Sequence, residues 1–288
     1  MKSITRKTLL YKSEVEYADY CLNHVEGCAH GCRFPCYAML MKIRCGIVKN
    51  YNDWIHPKIV GNALELLEKE IPKYKSKIKF VHLCFSTDPL MYKHSDVVEL
   101  TLKIIERLNK DNIHCVVLTK GVFPSILANA KKYSKNNEYG ISIVSLDNMF
   151  KKRYEPYSAP YKDRIKSLKY LHNHGLKTWV SMEPYPTPNL VKQNLQVILN
   201  EVSFTDKIIF GKLNYNVDAS NSVYKESKVF YEECANKIIS FCRRNNIEYH
   251  IKYGTQKNVN TTTGNIFMKN SYKSLDSKNS RQLSLSVR

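Results

Sequence analysis

The chain of 288 residues contains no apolar stretch of about 18 residues, so no transmembrane helix is expected. No apolar region follows the basic start Met1-Lys2-Ser3-Ile4-Thr5-Arg6-Lys7, which argues against a secretory signal and makes the cytoplasm the expected compartment. Arginine is scarce, at 10 residues against 35 lysines, so the better phosphate fork is not enriched. Neither a long linker nor an internal repeat is visible. The nine cysteines are odd in number, which argues against a disulfide framework in a chain without a signal. Only one tight cysteine group exists; Cys234 and Cys242 lack close partners, so auxiliary metal clusters are not expected.

What is present is concentrated in twelve residues, Gly27-Cys28-Ala29-His30-Gly31-Cys32-Arg33-Phe34-Pro35-Cys36-Tyr37-Ala38. The spacing is C-x3-C-x3-C. In a reducing compartment such a group points to metal. Three thiolates can hold three irons of a [4Fe–4S] cluster and leave the fourth iron open to a substrate or cofactor, where a four-cysteine site only carries electrons. This marks a candidate redox enzyme. Of the remaining cysteines, Cys21, Cys45 and Cys84 are scattered, and Cys115, Cys234 and Cys242 lie in apolar patterns as small hydrophobes. The net charge of +19 points to an anionic partner, nucleic acid first. A lysine bias of this kind also arises from an AT-rich genome, and the charge alone leaves both sources open.

Length suits one large or two small domains, and a hydrophobic content of 43% suffices for a full core. Short β-branched or aromatic runs predict strands at Tyr17–Val25, Ile78–Phe85, Ile113–Leu118, Tyr139–Val144, Lys177–Met182 and Lys207–Phe210. Between them, amphipathic stretches predict helices at Pro57–Glu70, Asp96–Asn109, Pro124–Ser134, Tyr161–His174, Asn189–Glu201 and Tyr224–Asn245. Pro57 and Pro124 suit first-turn positions, Ser95 or Asp96 suits a cap, and Gly175 suits a helix end. Six βα units in series predict an α/β fold: a parallel sheet with right-handed crossovers, forming a partial (β/α)6 TIM barrel. Ile247–Tyr253 adds a C-terminal edge strand or closing flap. The expected division is a barrel over 1–254 and a polar extension over 255–288, with about the last 20 residues weakly ordered.

In such barrels the strand C-termini carry the chemistry. The cysteine loop follows strand 1, Ser86-Thr87-Asp88-Pro89 follows strand 2, and Thr119-Lys120-Gly121 follows strand 3. Ser142, Ser145 and Asp147 lie in and beyond strand 4, Glu183-Pro184-Tyr185-Pro186 follows strand 5, and Lys212 to Asn216 follows strand 6. From about Tyr20 to Asn216 these motifs resemble the radical S-adenosylmethionine (radical SAM) enzymes, in particular the spore photoproduct lyase-like branch. The resemblance rests on Gly-Cys-x-His-Gly-Cys at 27–32, Cys-Tyr-Ala at 36–38, Ser-Thr-Asp-Pro at 86–89, Leu-Thr-Lys-Gly at 118–121, Ser-Ile-Val-Ser-Leu-Asp at 142–147, Tyr154 to Pro160, and Glu183-Pro184. One departure stands out: the family spacing is C-x3-C-x2-C with an aromatic before the third cysteine. Here Pro35 is one residue extra, and Phe34 is the displaced aromatic. Cys45 is the alternative third ligand.

The resemblance implies a [4Fe–4S] cluster on Cys28, Cys32 and Cys36 that reductively cleaves S-adenosylmethionine. The resulting 5′-deoxyadenosyl radical abstracts hydrogen from a substrate. It implies an external one-electron reductant of flavodoxin or ferredoxin type. It also implies cofactor contacts from Lys120 to the carboxylate, Ser86 and Asp88 to the amino group or ribose, and Ser142 to the ribose or carboxylate. Tyr37 would lie over the adenine or cofactor backbone, and Glu183 would bind ribose or substrate. His30 is either a hydrogen-bond donor near the cluster or a turn residue. The cysteine with which the repair lyase returns a hydrogen atom aligns with Phe85, and strand alternation turns Cys84 to the other face. Three readings follow: a radical SAM enzyme on nucleic acid or a nucleotide, one on a small molecule or peptide, and a non-catalytic iron–sulfur carrier or sensor.

Overall fold

The computed structural model describes residues 1–13 and 19–256. The expected weakly ordered tail lies outside these residues, as does most of the 255–288 extension.

Two short strands, β1 (Lys2–Ile4) and β2 (Leu10–Lys12), precede the barrel. The first barrel strand is β3 (Tyr20–Leu22), shorter than the run 17–25, and β4 (Val25–Glu26) follows it on a separate small sheet. The cysteine loop leads into two helices, α1 (Tyr37–Arg44) and α2 (Tyr51–Trp54). The expected helix from Pro57 is instead a strand, β5 (Lys58–Val60), followed by α3 (Ala63–Tyr74). The β-branched Ile59 and Val60 pair in parallel with β1, and Lys58 and Ile59 pair in antiparallel with β4, a partnership remote in sequence.

Five further strands follow: β6 (Phe80–Leu83), β7 (His114–Thr119), β8 (Glu138–Ser142), β9 (Lys177–Tyr185) and β10 (Lys207–Lys212). With β3 they are the six expected strands. The edge run is β11 (Glu248–Ile251), a strand parallel to β10. The sheet order is β11-β10-β9-β8-β7-β6-β3-β2, parallel throughout except for β2 against β3. Its two edges, β11 and β2, do not pair with each other, so the barrel is partial.

Helices between the strands are α4 (Ser95–Lys110), α5 (Asn148–Tyr154), α6 (Tyr161–Asn173), α7 (Leu195–Glu201) and α8 (Ser227–Arg244). In α4 the buried residues Val97, Thr101, Ile104, Ile105 and Leu108 recur at helical spacing and face the sheet. His94, rather than Ser95 or Asp96, occupies its cap position. The expected helix 124–134 shrinks to a single 3-10 turn at Ser125–Ala128, and α7 starts only at Leu195, where the Asn194 side chain accepts from the Gln196 amide at 2.9 Å. Gly175 ends α6 at φ +75°, as expected.

Alternation divides the strand side chains. Val81, Leu83, Cys115, Val117, Ile141, Val180, Ile208 and Phe210 join the main core beneath the helices. Phe80, Val116, Trp179 and Ile209 form a second apolar group from the opposite faces of their strands. Cys115, Cys234 and Cys242 are buried among apolar neighbours of the main core.

Candidate iron–sulfur and cofactor site

The cysteine loop is shaped by two glycines. Gly27 sits at φ +83° and Gly31 at φ +57°, where L side chains are strained. A Cβ on Gly27 would stand 2.7 Å from the Trp54 carbonyl oxygen, and one on Gly31 would stand 2.8 Å from the Tyr51 hydroxyl. The loop is pinned by the Cys28 amide donating to the Trp54 carbonyl at 2.8 Å and by the Arg33 amide donating to the Tyr154 carbonyl at 2.8 Å. Phe34 stacks on Tyr154 at 5.4 Å, so the loop rests on α5. Pro35 then delivers Cys36 to the cap position of α1.

The three thiols lie close enough for their charges to interact. Burial pushes the Cys28 thiol well above its usual value, and the charges of Asp88, Cys32 and Cys36 add to this. Burial raises Cys32 to about 12, while Lys120 and Arg164 act in favour of its thiolate. Burial also raises Cys36, opposed by the backbone amides of Met39 and Ala38 at the start of α1. Among the described residues no three ligating side chains converge on a single ion-sized point. A four-iron cluster makes a different demand, because each sulfur binds its own iron. Cys45 caps the far end of α1, a helix about 12 Å long, and is exposed.

Beside Cys32 lies a buried charge group. Glu155 Oε1 accepts from Lys120 Nζ at 2.8 Å, and Glu155 Oε2 accepts from Arg164 Nη2 at 2.8 Å. Arg164 also donates to the carbonyls of Ala159 at 2.9 Å and Ser142 at 2.8 Å, and to the Ser158 hydroxyl. Four of its five N–H donors are therefore engaged by protein acceptors. Burial disfavours the Glu155 carboxylate, but the two cations outweigh it and hold its pKa at about 2. Burial likewise disfavours the Lys120 ammonium, and Glu155 outweighs it, so the lysine stays charged above its usual value. Two cations against one anion leave a net positive charge facing the cysteine loop.

Asp88 is equally committed. Its Oδ1 accepts from the Leu90 amide at 2.9 Å and the Thr119 hydroxyl at 2.7 Å. Its Oδ2 accepts from the Lys120 amide at 2.8 Å and stands 3.3 Å from His30 Nδ1. Burial opposes this carboxylate, and His30 with these donors outweighs it, so its pKa is lowered. His30 Nε2 accepts from the Tyr92 amide at 2.9 Å, which places the ring proton on Nδ1, toward Asp88. Both ring nitrogens are thus turned to protein, and His30 acts as a tie between the cysteine loop and the 88–92 turn.

The structure therefore brings Cys28, Cys32, Cys36, Asp88 and Lys120 into one neighbourhood and ties Ser142 to it through Arg164. Ser86 is half-buried, its amide 3.4 Å from Asn23 Oδ1. Glu183, expected to follow its strand, lies within β9 and pairs with Lys252, just past β11, at 3.1 Å. Tyr37 is 51% exposed and stacks at 5.8 Å on Tyr215, from the loop after β10. Cys84 departs from strand alternation. At φ +52° it turns into the apolar group of Val25, Ala29 and Met91, against which Cys28 packs, and its sulfur lies 3.4 Å from His24 Nδ1. Phe85 is partly exposed against His82.

Sequence reasoning assigned no role to Glu155, Arg164, Thr119 or Tyr215. A signal existed for Arg164. It shares one α6 face with Tyr161, Leu168 and Leu171, and a charge on an apolar stripe requires a buried partner.

Comparison with known proteins agrees with this geometry. The Radical SAM superfamily profile matches residues 22–201, more than half of the chain, and the chain belongs to that superfamily. Its cofactors are accordingly a [4Fe–4S] cluster and S-adenosylmethionine. An uncharacterised protein of Methanocaldococcus jannaschii is 27% identical over 237 residues, covering 81% of this chain and 86% of that protein. An uncharacterised protein of the Acidianus two-tailed virus is 26% identical over 198 residues, covering 64% and 63%. Among solved structures, spore photoproduct lyase complexed with dinucleoside spore photoproduct aligns with TM-score 0.58 at 15% identity, over 84% of this chain and 77% of that one. A mutant of the same lyase aligns with TM-score 0.62 at 13% identity, over 87% and 81%. At these identities the likeness shows the fold. Among the described residues no helix is long and apolar enough to cross a membrane.

Proposed function

We propose that Cys28, Cys32 and Cys36 hold the cluster and that the chain performs hydrogen abstraction on a nucleic acid or nucleotide. The observation that carries the ligand set is that these three thiols share one loop, pinned through the Cys28 and Arg33 amides, beside a buried, net-positive Lys120–Glu155–Arg164 group. When bound, cluster and S-adenosylmethionine supply the one-electron cleavage that yields the abstracting radical. The protein's part is positioning. Lys120 keeps donors beyond its bond to Glu155 and would meet the cofactor carboxylate with them. Asp88 holds the Lys120 backbone and His30 in place, so it acts through them. Ser86 would contact the amino group or ribose, Ser142 the ribose or carboxylate, Tyr37 the adenine or cofactor backbone, and Glu183 the ribose or substrate.

The nucleic-acid reading is supported by the +19 charge and by the exposed Tyr37–Tyr215 stack, an aromatic face suited to a base. It is supported by analogy with the lyase whose structure holds a dinucleoside photoproduct. The test is anaerobic reconstitution with iron and sulfide, then dithionite and S-adenosylmethionine, with 5′-deoxyadenosine as the readout. Cys36→Ala is expected to abolish cluster uptake and nucleoside formation, and Cys45→Ala to leave both intact. The reverse result refutes the ligand set. A bound cluster without cleavage refutes the enzyme reading, and no oligonucleotide shift at low salt refutes the nucleic-acid reading.

A further inference from the structure

The +19 charge has two sources to choose between, an anionic partner and a lysine bias. Arginine separates them. A bias toward lysine removes arginine wherever a point charge suffices, so an exposed arginine kept without a carboxylate marks a place that uses the planar fork. Of the ten arginines, Arg6 pairs with Glu26, Arg107 with Glu68 and Asp111, and Arg164 with Glu155. Arg33 and Arg153 are exposed, and among the described residues neither pairs with a carboxylate.

Both stand on one rim. The Arg33 amide donates to the Tyr154 carbonyl at 2.8 Å, so residue 33 lies against the end of α5, next to Arg153. The Arg153 guanidinium lies 5.1 Å over the Tyr154 ring, which stacks on Phe34. The Arg33 guanidinium donates to the Tyr51 and Tyr157 hydroxyls. Tyr51 in turn donates to the Gly31 carbonyl at 2.8 Å, which leaves its oxygen free to accept from Arg33. Aromatic side chains thus hold both forks while N–H donors remain unspent. Helical spacing brings Lys152 to the same side: Phe150 and Tyr154 turn inward, and Lys152 and Arg153 outward. The carboxylates of this helix are occupied. Glu155 is buried between Lys120 and Arg164, and Asp147 caps the far end of α5 through the Met149 and Phe150 amides.

We propose that Arg33 and Arg153 form a phosphate-binding site on the rim of the cysteine loop, which takes a phosphodiester or a terminal phosphate of the substrate. Two held guanidinium forks match the several oxygens of a phosphate, and each N–H left unspent can donate to one of them. Tyr157, 52% exposed beside Arg33, offers a ring to the adjoining base. Arg33 lies between Cys32 and Cys36, so a phosphate held here anchors its substrate at the proposed cluster loop. The site rests on the reading that the substrate is a nucleic acid or nucleotide, and it names the residues that hold the phosphate.

The test uses the reconstituted protein with two probes, a single-stranded DNA of about twelve nucleotides and a 5′-mononucleotide. Dissociation constants are measured anaerobically by calorimetry between about 50 and 200 mM salt. The double variant Arg33→Gln and Arg153→Gln is expected to weaken at least one probe about tenfold. For the strand, the salt slope should flatten by about 0.7 for each arginine. Oligo-dT and oligo-dA should lose equally, because a phosphate contact carries no base information. A control with the same charge change, Lys131→Gln and Lys135→Gln in the exposed segment before β8, should stay within about twofold of wild type. Arg153→Lys separates binding from a structural role. Lysine serves a helix end as well as arginine, so a helix-end role predicts full recovery, whereas a phosphate fork predicts the wild-type salt slope with affinity only partly restored. Iron content is measured for every variant. Arg153 lies outside the cysteine loop, so weakening by Arg153→Gln at full iron content does not come from a damaged cluster. Weakening of the strand alone supports the site and assigns it an internal phosphodiester; equal weakening of the mononucleotide supports it and assigns a terminal phosphate. Unchanged binding of both probes, equal weakening in the control, or full recovery in Arg153→Lys overturns the site and leaves the nucleic-acid reading standing. Wild type that binds neither probe at low salt overturns both.

Discussion

Glu155→Gln tests the electrostatic logic of the site most directly. The carboxylate sits fully buried between Lys120 and Arg164, each at 2.8 Å. Its pKa is held at about 2 from a usual 4.5, and that difference is worth about 3 kcal/mol of stability at neutral pH. The figure agrees with the roughly 3–5 kcal/mol lost when one partner of a buried ion pair is removed and the remaining charge is stranded. Glutamine keeps the shape and one acceptor, but it leaves two buried cations with no anion. We therefore expect urea unfolding of the cluster-free protein, followed by circular dichroism, to show a loss of about 3 kcal/mol at pH 7. Because the folded pKa is depressed, this stability is present above pH 4.5 and is lost as pH falls toward 2. The gap between wild type and variant should close over that window. Lys120→Met leaves Glu155 paired with Arg164, so it should cost less than Glu155→Gln. The double variant should cost less than the two losses added together, since the pair acts as a unit. A cost below about 1 kcal/mol for Glu155→Gln, or a gap that stays constant down to pH 3, would refute the reasoning.

Two further outcomes follow from the same neighbourhood. Asp88→Asn keeps one acceptor oxygen but turns an amide N–H₂ toward donors from Leu90, Thr119, Lys120 or His30; a loss of about 2–3 kcal/mol and reduced iron retention are expected, and an unchanged urea midpoint would count against it. His24 and His82 are buried with pKa values lowered by burial to about 3 and about 4. The unfolded chain takes up these protons below about pH 6.5 while the folded chain does not, so stability should fall as pH drops from 6.5 toward 4. The slope approaches roughly 2–3 kcal/mol per pH unit for two protons, and a urea midpoint that stays flat from pH 7 to 5 would exclude it.

The legible part of this molecule was carried by short-range patterns. The cysteine spacing, the β-branched runs of β6 to β10 and the helical stripe of α4 can be read locally, because a ligand loop, a period of two and a period of 3.6 each need only neighbouring residues. From them came the partial barrel and the placing of Ser86, Asp88, Lys120 and Ser142 at or beyond strand ends, whereas Glu183 lies inside the longer β9. Helix bounds fared worse where tertiary pairing ruled: Lys58–Val60 is a strand only because β1 and β4 flank it, and residues 124–134 read as a helix but supply one turn.

The chain's sequence by itself determined the class of chemistry, since three thiols at that spacing and six polar strand ends belong to a cluster-bearing barrel. Tertiary structure alone decided how the charges are used. Asp88 reads as a cofactor contact in one dimension, but in three its oxygens are filled by donors from Leu90, Thr119 and Lys120. Arg164 stands on the apolar stripe of its helix in the sequence, but only the fold shows it as the buried tie between Glu155, Ser158, Ala159 and Ser142. Likewise the sequence offers Cys45 as the alternative to Cys36, and only the fold shows a helix of about 12 Å between the two. The reason is common to all three: a charged or ligating group is defined by which donors and acceptors surround it after burial, and those arrive from other elements of the fold.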